Sequence, residues 1–209
     1  IGDNPKCLAP VNGKPFIHIL IDKYRVYGFN RFIISIGYQK DKVIKSLKSK
    51  TGCEIIFCVE DEPLGTGGAI KKARNYTNSN NVIVLNGDSL IELDYKHLID
   101  WHFKMKSNCT IVSTIVPNAS RYGIIKINKK NRIIDFKEKQ KISQKGLINA
   151  GVYIFNKSIF NLMPDENSFS MEKDFLPKIL GEKVYGYISK EKLIDIGTPE
   201  SYRQAIKRY

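Results

Sequence analysis

Val82-Ile83-Val84-Leu85-Asn86-Gly87-Asp88 is an apolar, largely β-branched run that stops at a turn and ends on a carboxylate. A second stretch, Leu193-Ile194-Asp195-Ile196-Gly197-Thr198-Pro199, has the same form: a short apolar run, an aspartate, a glycine. Strand tips are where open α/β sheets hold their ligands, so each carboxylate is expected at a strand's end, in a ligand-binding position.

Outward from that stretch, apolar β-type runs recur at 32–36, 54–59, 110–116, 133–136, 152–155 and 184–188. Segments of helical period lie between the early ones. Pro15 suits a first helical turn, and Phe16, Leu20, Tyr24 and Tyr27 follow at helical spacing before Gly28 stops the helix. Further helices are expected over 41–50, 67–76 and 95–106, with a closing helix over 199–209. Alternation at this spacing predicts an α/β fold: a Rossmann-like, mostly parallel sheet with helices on both faces. After Val116 the strands crowd together. Residues 122–127 and 132–136, separated by Asn128-Lys-Lys-Asn131, predict a hairpin and hence additional antiparallel strands in the second half.

At 209 residues and 23.9 kDa the chain can bury one substantial core, and a single domain over 1–209 is expected. Its apolar stretches fall well short of the ~20 residues that span a bilayer, so a soluble protein with no membrane partner is expected. Cys7, Cys53, Cys58 and Cys109 form no Cys-x-x-Cys pair, which fits a reduced cytoplasm. His18, His97 and His102 lack zinc-site spacing. The net charge of +13 suggests nucleic acid, but lysine supplies 27 of the 34 basic residues, and base-edge or bidentate phosphate contacts favour arginine. With no RNP-like or helix-turn-helix segment, a nucleic-acid partner is not expected; that module and an inactive regulatory homologue remain the readings of a different class. No spacing specifies self-association, and a homo-oligomer is compatible with the sequence.

Asp88 alone reads as a turn residue and Asp195 alone as a helix cap. Together they suit a divalent cation. With Glu62-Pro-Leu-Gly-Thr-Gly-Gly-Ala69 before them and Phe136-Lys-Glu-Lys139 and Asn149-Ala-Gly151 between them, the order resembles the sugar-1-phosphate nucleotidylyltransferases. That resemblance covers nearly the whole chain and implies a nucleotide-binding half over roughly 1–116 and a sugar-phosphate-binding half over 117–209. The implied reaction is attack by a sugar 1-phosphate oxygen on the α-phosphorus of a nucleoside triphosphate. Its nucleophile is already an anion, so alignment and charge neutralisation matter more than a general base.

The resemblance implies Mg²⁺ on Asp88 and Asp195, and phosphate contacts from Lys6, in Asn4-Pro-Lys6, and Lys139, in Glu138-Lys139. It places Leu64, Gly65, Thr66, Gly67 and Gly87 beside the nucleotide, with amides free to approach it. For the sugar it nominates Gly123, in Arg121-Tyr-Gly123, with Glu138, Asn149 and, more weakly, Glu172, whose plainer reading is a helix start. Glu60 stands where thymidylyltransferase relatives carry a base-reading glutamine. A carboxylate accepts from guanine N1–H and N2–H but repels the carbonyls of thymine and uracil, so GTP is the expected nucleotide. A heptose 1-phosphate rests on whole-chain likeness, with mannose 1-phosphate as the alternative. The family's first strand and Gly-Gly-x-Gly-Thr-Arg loop are not among residues 1–209, so donors for the departing pyrophosphate are expected to be missing from them. Gln140 replaces the usual proline.

Overall fold

In the computed structural model, residues 4–138 and 144–208 are described. The elements run β1 (Pro10–Val11), β2 (Lys14–Pro15), α1 (Phe16–Val26), β3 (Arg31–Ile36), α2 (Lys40–Leu47), β4 (Glu54–Val59), α3 (Gly65–Ala73), β5 (Asn81–Leu85) and β6 (Ser89–Ile91). They continue with α4 (Tyr95–Lys104), β7 (Cys109–Val116), β8 (Ile124–Ile127), β9 (Ile133–Lys137), β10 (Gly146–Asn156), α5 (Lys157–Phe160), β11 (Val184–Ser189), β12 (Leu193–Asp195) and α6 (Pro199–Arg208).

Alternate residues of the central strands feed two cores, which is why their sequences are nearly continuous in apolar side chains. Val152 and Ile154 of β10 and Val112 of β7 face one cluster with Phe16, Leu20 and Tyr24 of α1 and Leu98 of α4. Tyr153 and Phe155 of β10 and Ile111 of β7 face the other, with Phe169, Met171 and Phe175. Burying an aromatic such as Phe16 in full contributes roughly 2–3 kcal/mol.

Parallel pairing joins β3 to β4 and β7 to β11. Antiparallel pairing gathers around β10, which binds β7, β8 and β5, while β8 and β9 form the expected hairpin. β10 is longer than the apolar run Val152–Phe155 predicts. It begins at Gly146, and a bulge after Asn149, which still faces Ser113, takes Ala150-Gly151-Val152 out of register with β7 before Tyr153 faces Ile111.

Local signals set the helix ends. α1 starts directly after Pro15 and ends before Gly28, whose φ of +87° suits glycine. Asp94 caps α4 by accepting from the His97 amide at 3.0 Å. The helix expected over 67–76 starts earlier, at Gly65, and tightens to a 3₁₀ turn at Arg74–Tyr76. Among the described residues no helix is long and apolar enough to cross a membrane.

Candidate active site

β6 and β12 form a two-stranded antiparallel ladder in which Ser89 faces Asp195, Leu90 faces Ile194 and Ile91 faces Leu193. Leu90 and Ile91 are fully buried, so the first core anchors the ladder. One step beyond its end, the Ile196 amide donates to the Asp88 carbonyl at 3.0 Å. The two acidic tips, 107 residues apart in sequence, are therefore diagonal neighbours across one strand pair. Burial raises the pKa of the Cys7 thiol, a backbone hydrogen bond lowers it and the charge of Asp88 raises it again, so the Lys6–Leu8 turn, with Lys6 exposed, lies within electrostatic reach of Asp88.

Asp195 does not cap α6. Thr198 does: its hydroxyl accepts from the Ser201 amide at 3.2 Å, and Ser201 Oγ accepts from the Thr198 amide at 3.1 Å. Asp195 Oδ1 accepts from the Gly197 amide at 2.5 Å, and its Oδ2 from Arg121 at 2.9 Å and the Tyr122 hydroxyl at 3.3 Å. Burial, then the charge of Asp195, raises the Tyr122 pKa, so the phenol stays a neutral donor.

The residues nominated for the sugar converge. Gly123 accepts the Asn149 amide on its carbonyl at 2.9 Å, and a Cβ at Gly123 would stand 3.0 Å from Glu138 Oε2. Asn149 Oδ1 accepts from the Gly151 amide at 3.0 Å, and its Nδ2 donates to the Tyr153 hydroxyl at 2.7 Å. Asn149 thus performs turn chemistry, yet an amide keeps a second N–H and further lone pairs for a ligand hydroxyl. Burial raises the Tyr153 pKa and the charges of Glu172 and Glu138 raise it further, so both carboxylates lie within electrostatic reach of one phenol. The sugar group abuts the acidic tip: Gly151, at φ +73°, accepts the Asn86 amide at 2.8 Å, and a Cβ there would meet Asn86 Nδ2 at 2.7 Å.

On the nucleotide side the geometry corrects one expectation. The amides of Gly67 and Gly68 are not turned to open space; both donate to the Phe169 carbonyl, at 2.9 and 3.4 Å. The Phe169 ring fills the space over Gly67, and a Cβ at Gly68 would fall 2.0 Å from the Asn167 carbonyl oxygen. The glycine run is thus at least a packing device that lets the 167–171 segment lie on α3. Gly65, at φ +68°, is also pressed against Phe169. Thr66 donates to Glu172 Oε2 at 2.8 Å and accepts from the Met171 amide at 2.9 Å. Glu172 itself sits in a single π-helical turn, Met171–Phe175, capped by Ser170, so its plainer reading holds beside its contact with Thr66. Glu60, at the end of β4, accepts from the Leu64 amide at 3.3 Å, and Leu64 is buried. Gly87 has nothing within 4 Å of where a Cβ would project, which leaves an open approach beside Asp88. Lys139 lies outside the described residues.

Three further partners were not singled out from the sequence. Arg121 and Tyr122 were visible only as neighbours of Gly123, and Tyr153 only as a core residue of a strand. A cleft of about 500 Å³, lined by Arg74, Asn78, Asn156 and Phe160 among others, lies at the opposite ends of β5 and β10. That cleft lies away from the strand tips that carry Asp88 and Asp195.

Compared with known protein families, residues 3–209 match the nucleotidyl transferase family. The chain belongs to that family. Over 99% of its length this nucleotidyl transferase is 40% identical to D-glycero-alpha-D-manno-heptose 1-phosphate guanylyltransferase of Aneurinibacillus thermoaerophilus, covering 90% of that protein. It is 32% identical to the enzyme of the same name from Campylobacter jejuni, over 97% of this chain and 89% of the other. Among solved structures, HddC from Yersinia pseudotuberculosis complexed with GMP-PN matches with a TM-score of 0.89 and 37% identity, covering 99% of this chain and 91% of that one. The α/β fold expected from the strand and helix spacing is the nucleotidyl transferase fold.

Proposed function

We propose that this nucleotidyl transferase joins D-glycero-α-D-manno-heptose 1-phosphate to GTP, giving the GDP-activated sugar and pyrophosphate for a bacterial surface polysaccharide. The 40% identity to a heptose 1-phosphate guanylyltransferase along 99% of the chain carries this reading. A phosphate oxygen of the sugar attacks the α-phosphorus, a new P–O bond forms there, and the bond to the β-phosphate oxygen breaks to release pyrophosphate. Joining two anions demands charge neutralisation and in-line alignment more than proton transfer.

The donor set fits a hard divalent cation. Among the described residues no three His, Cys, Asp or Glu side chains converge on one point, so the protein would supply two carboxylates, Asp88 and Asp195, and phosphate oxygens and water would complete the shell. Mg²⁺ there would neutralise charge shared between the two substrates. Around that pair, Lys6 would contact phosphate, and Gly123, Glu138, Asn149 and Glu172 would receive sugar hydroxyls. Glu60, which accepts from the Leu64 amide, would accept from guanine.

The decisive experiment is pyrophosphate release by the full-length protein, with sugar 1-phosphates crossed against the four nucleoside triphosphates, with and without Mg²⁺. Turnover highest for the heptose 1-phosphate with GTP, and abolished by EDTA, is expected. Equal use of UTP or dTTP would remove the guanine assignment, and turnover in EDTA would remove the metal.

A further inference from the structure

Three donors surround the Asp195 carboxylate. The Gly197 amide belongs to the same turn and Tyr122 is neutral and partly buried. Arg121 alone brings a full charge, and it is the most open: 43% of its side chain is exposed, against 12% for Asp195. An ion pair so placed is weak and salt-screened, and a divalent cation competing for the same oxygen has twice the charge. The guanidinium carbon also stands 5.7 Å from the centre of the Tyr122 ring, a perch it can keep when it lets go of the carboxylate. Two residues on is Gly123, whose carbonyl holds Asn149 and whose Cα abuts Glu138. Arg121 thus ties Asp195 to the chain segment that carries Gly123.

We propose that Arg121 is a stand-in cation: it neutralises Asp195 in the metal-free protein and, on metal loading, turns its planar fork to the phosphate of the incoming sugar 1-phosphate. The proposal rests on the reading of Asp88 and Asp195 as the metal pair. Arginine suits the second task because its guanidinium can donate two parallel hydrogen bonds to phosphate. The exchange also keeps the acidic pair from repelling the first anionic substrate before a metal arrives.

The test is Mn²⁺ binding followed by electron paramagnetic resonance, on full-length wild type, Arg121→Gln and Arg121→Lys, alone and with an α,β-methylene GTP analogue. Removal of the competing charge in Arg121→Gln is expected to tighten Mn²⁺ binding ~3-fold or more. The same variant should raise KM for the sugar 1-phosphate ~10-fold and leave KM for GTP within ~2-fold. Arg121→Lys should keep wild-type Mn²⁺ affinity and recover part of the KM, which a packing role would not produce. Unchanged or weaker Mn²⁺ binding by a folded Arg121→Gln would overturn the proposal while leaving the metal pair standing. Wild type that binds no Mn²⁺ yet releases pyrophosphate would overturn both.

Discussion

Thr66 Oγ1 donates to the Glu172 carboxylate at 2.8 Å, so the loop expected beside the nucleotide and the turn expected beside the sugar are tied by one charge-assisted hydrogen bond. The same hydroxyl accepts from the Met171 amide, which fixes its orientation. Replacing it should disturb the sugar side from the nucleotide side. Thr66→Val is expected to lower stability by about 1–2 kcal/mol and to raise KM for the sugar 1-phosphate more than KM for GTP. Thr66→Ser, which restores the hydroxyl, should return both values towards wild type. Urea unfolding and steady-state kinetics on the three proteins check this; a larger effect on GTP would mean that Thr66 acts on the nucleotide directly.

The glycines around the site separate packing from access. At Gly68 a methyl group would lie 2.0 Å from a backbone oxygen that no rotamer change can move. Gly68→Ala should therefore cost about 2–3 kcal/mol of stability, as overpacking against a fixed backbone does. At Gly87 a methyl group would meet nothing within 4 Å. Gly87→Ala should melt within a few degrees of wild type, yet turn over more slowly if the nucleotide passes beside Asp88. Thermal melts and pyrophosphate release distinguish the two outcomes.

These contrasts follow how the sequence encodes the molecule. Strands and helices were legible because burial on two faces leaves long β-branched runs, and because Pro15, Gly28 and the helical spacing of Phe16, Leu20 and Tyr24 act locally. Pairing was not legible. That β10 extends back to Gly146 and touches three strands depends on distant partners, and Asn149-Ala-Gly151 reads as a turn because a bulge uses turn residues. Asp88 and Asp195 were legible as strand tips, but their adjacency is a property of the β6–β12 ladder. The filling of the glycine run by Phe169 had no sequence signal, since a glycine that admits a ligand and one that admits a neighbouring chain look alike.

His102 makes stability depend on pH. It is 1% exposed, its Nδ1 lies 2.7 Å from the Thr110 hydroxyl and its Nε2 3.4 Å from Asn81 Oδ1. Burial lowers its pKa from 6.5 to about 4. The unfolded chain therefore binds the proton more readily, so the stabilisation is complete above pH 6.5 and is lost as pH falls towards 4. By linkage the loss approaches about 3 kcal/mol at the acid end. His18, also lowered, adds in the same direction, and Asp22, held at about 2 by Lys14 and Lys50 against its own burial, acts only at lower pH. The difference between wild type and His102→Gln isolates the buried imidazole: the variant's urea midpoint should fall less steeply between pH 6.5 and 4.5. Parallel slopes would show that His102 does not titrate there.

Asp88→Asn and Asp195→Asn test whether the two carboxylates act as a unit. The amide of Ile196 binds the Asp88 carbonyl, not its side chain, and an asparagine at 195 can keep its oxygen on the Gly197 amide while its Nδ2 donates to the Tyr122 hydroxyl oxygen. Both variants should therefore fold, with Asp195→Asn giving up its ion pair with Arg121. Catalysis should suffer far more, because one shared cation neutralises the phosphates only if both ligands hold it; each variant is expected to lose ~100-fold or more in kcat. The double variant should then be little worse than either single one, since removing the second half of a broken unit costs little more. Losses that multiply in the double variant would instead mean that the two aspartates serve separate steps, and the paired-ligand reading would have to be given up.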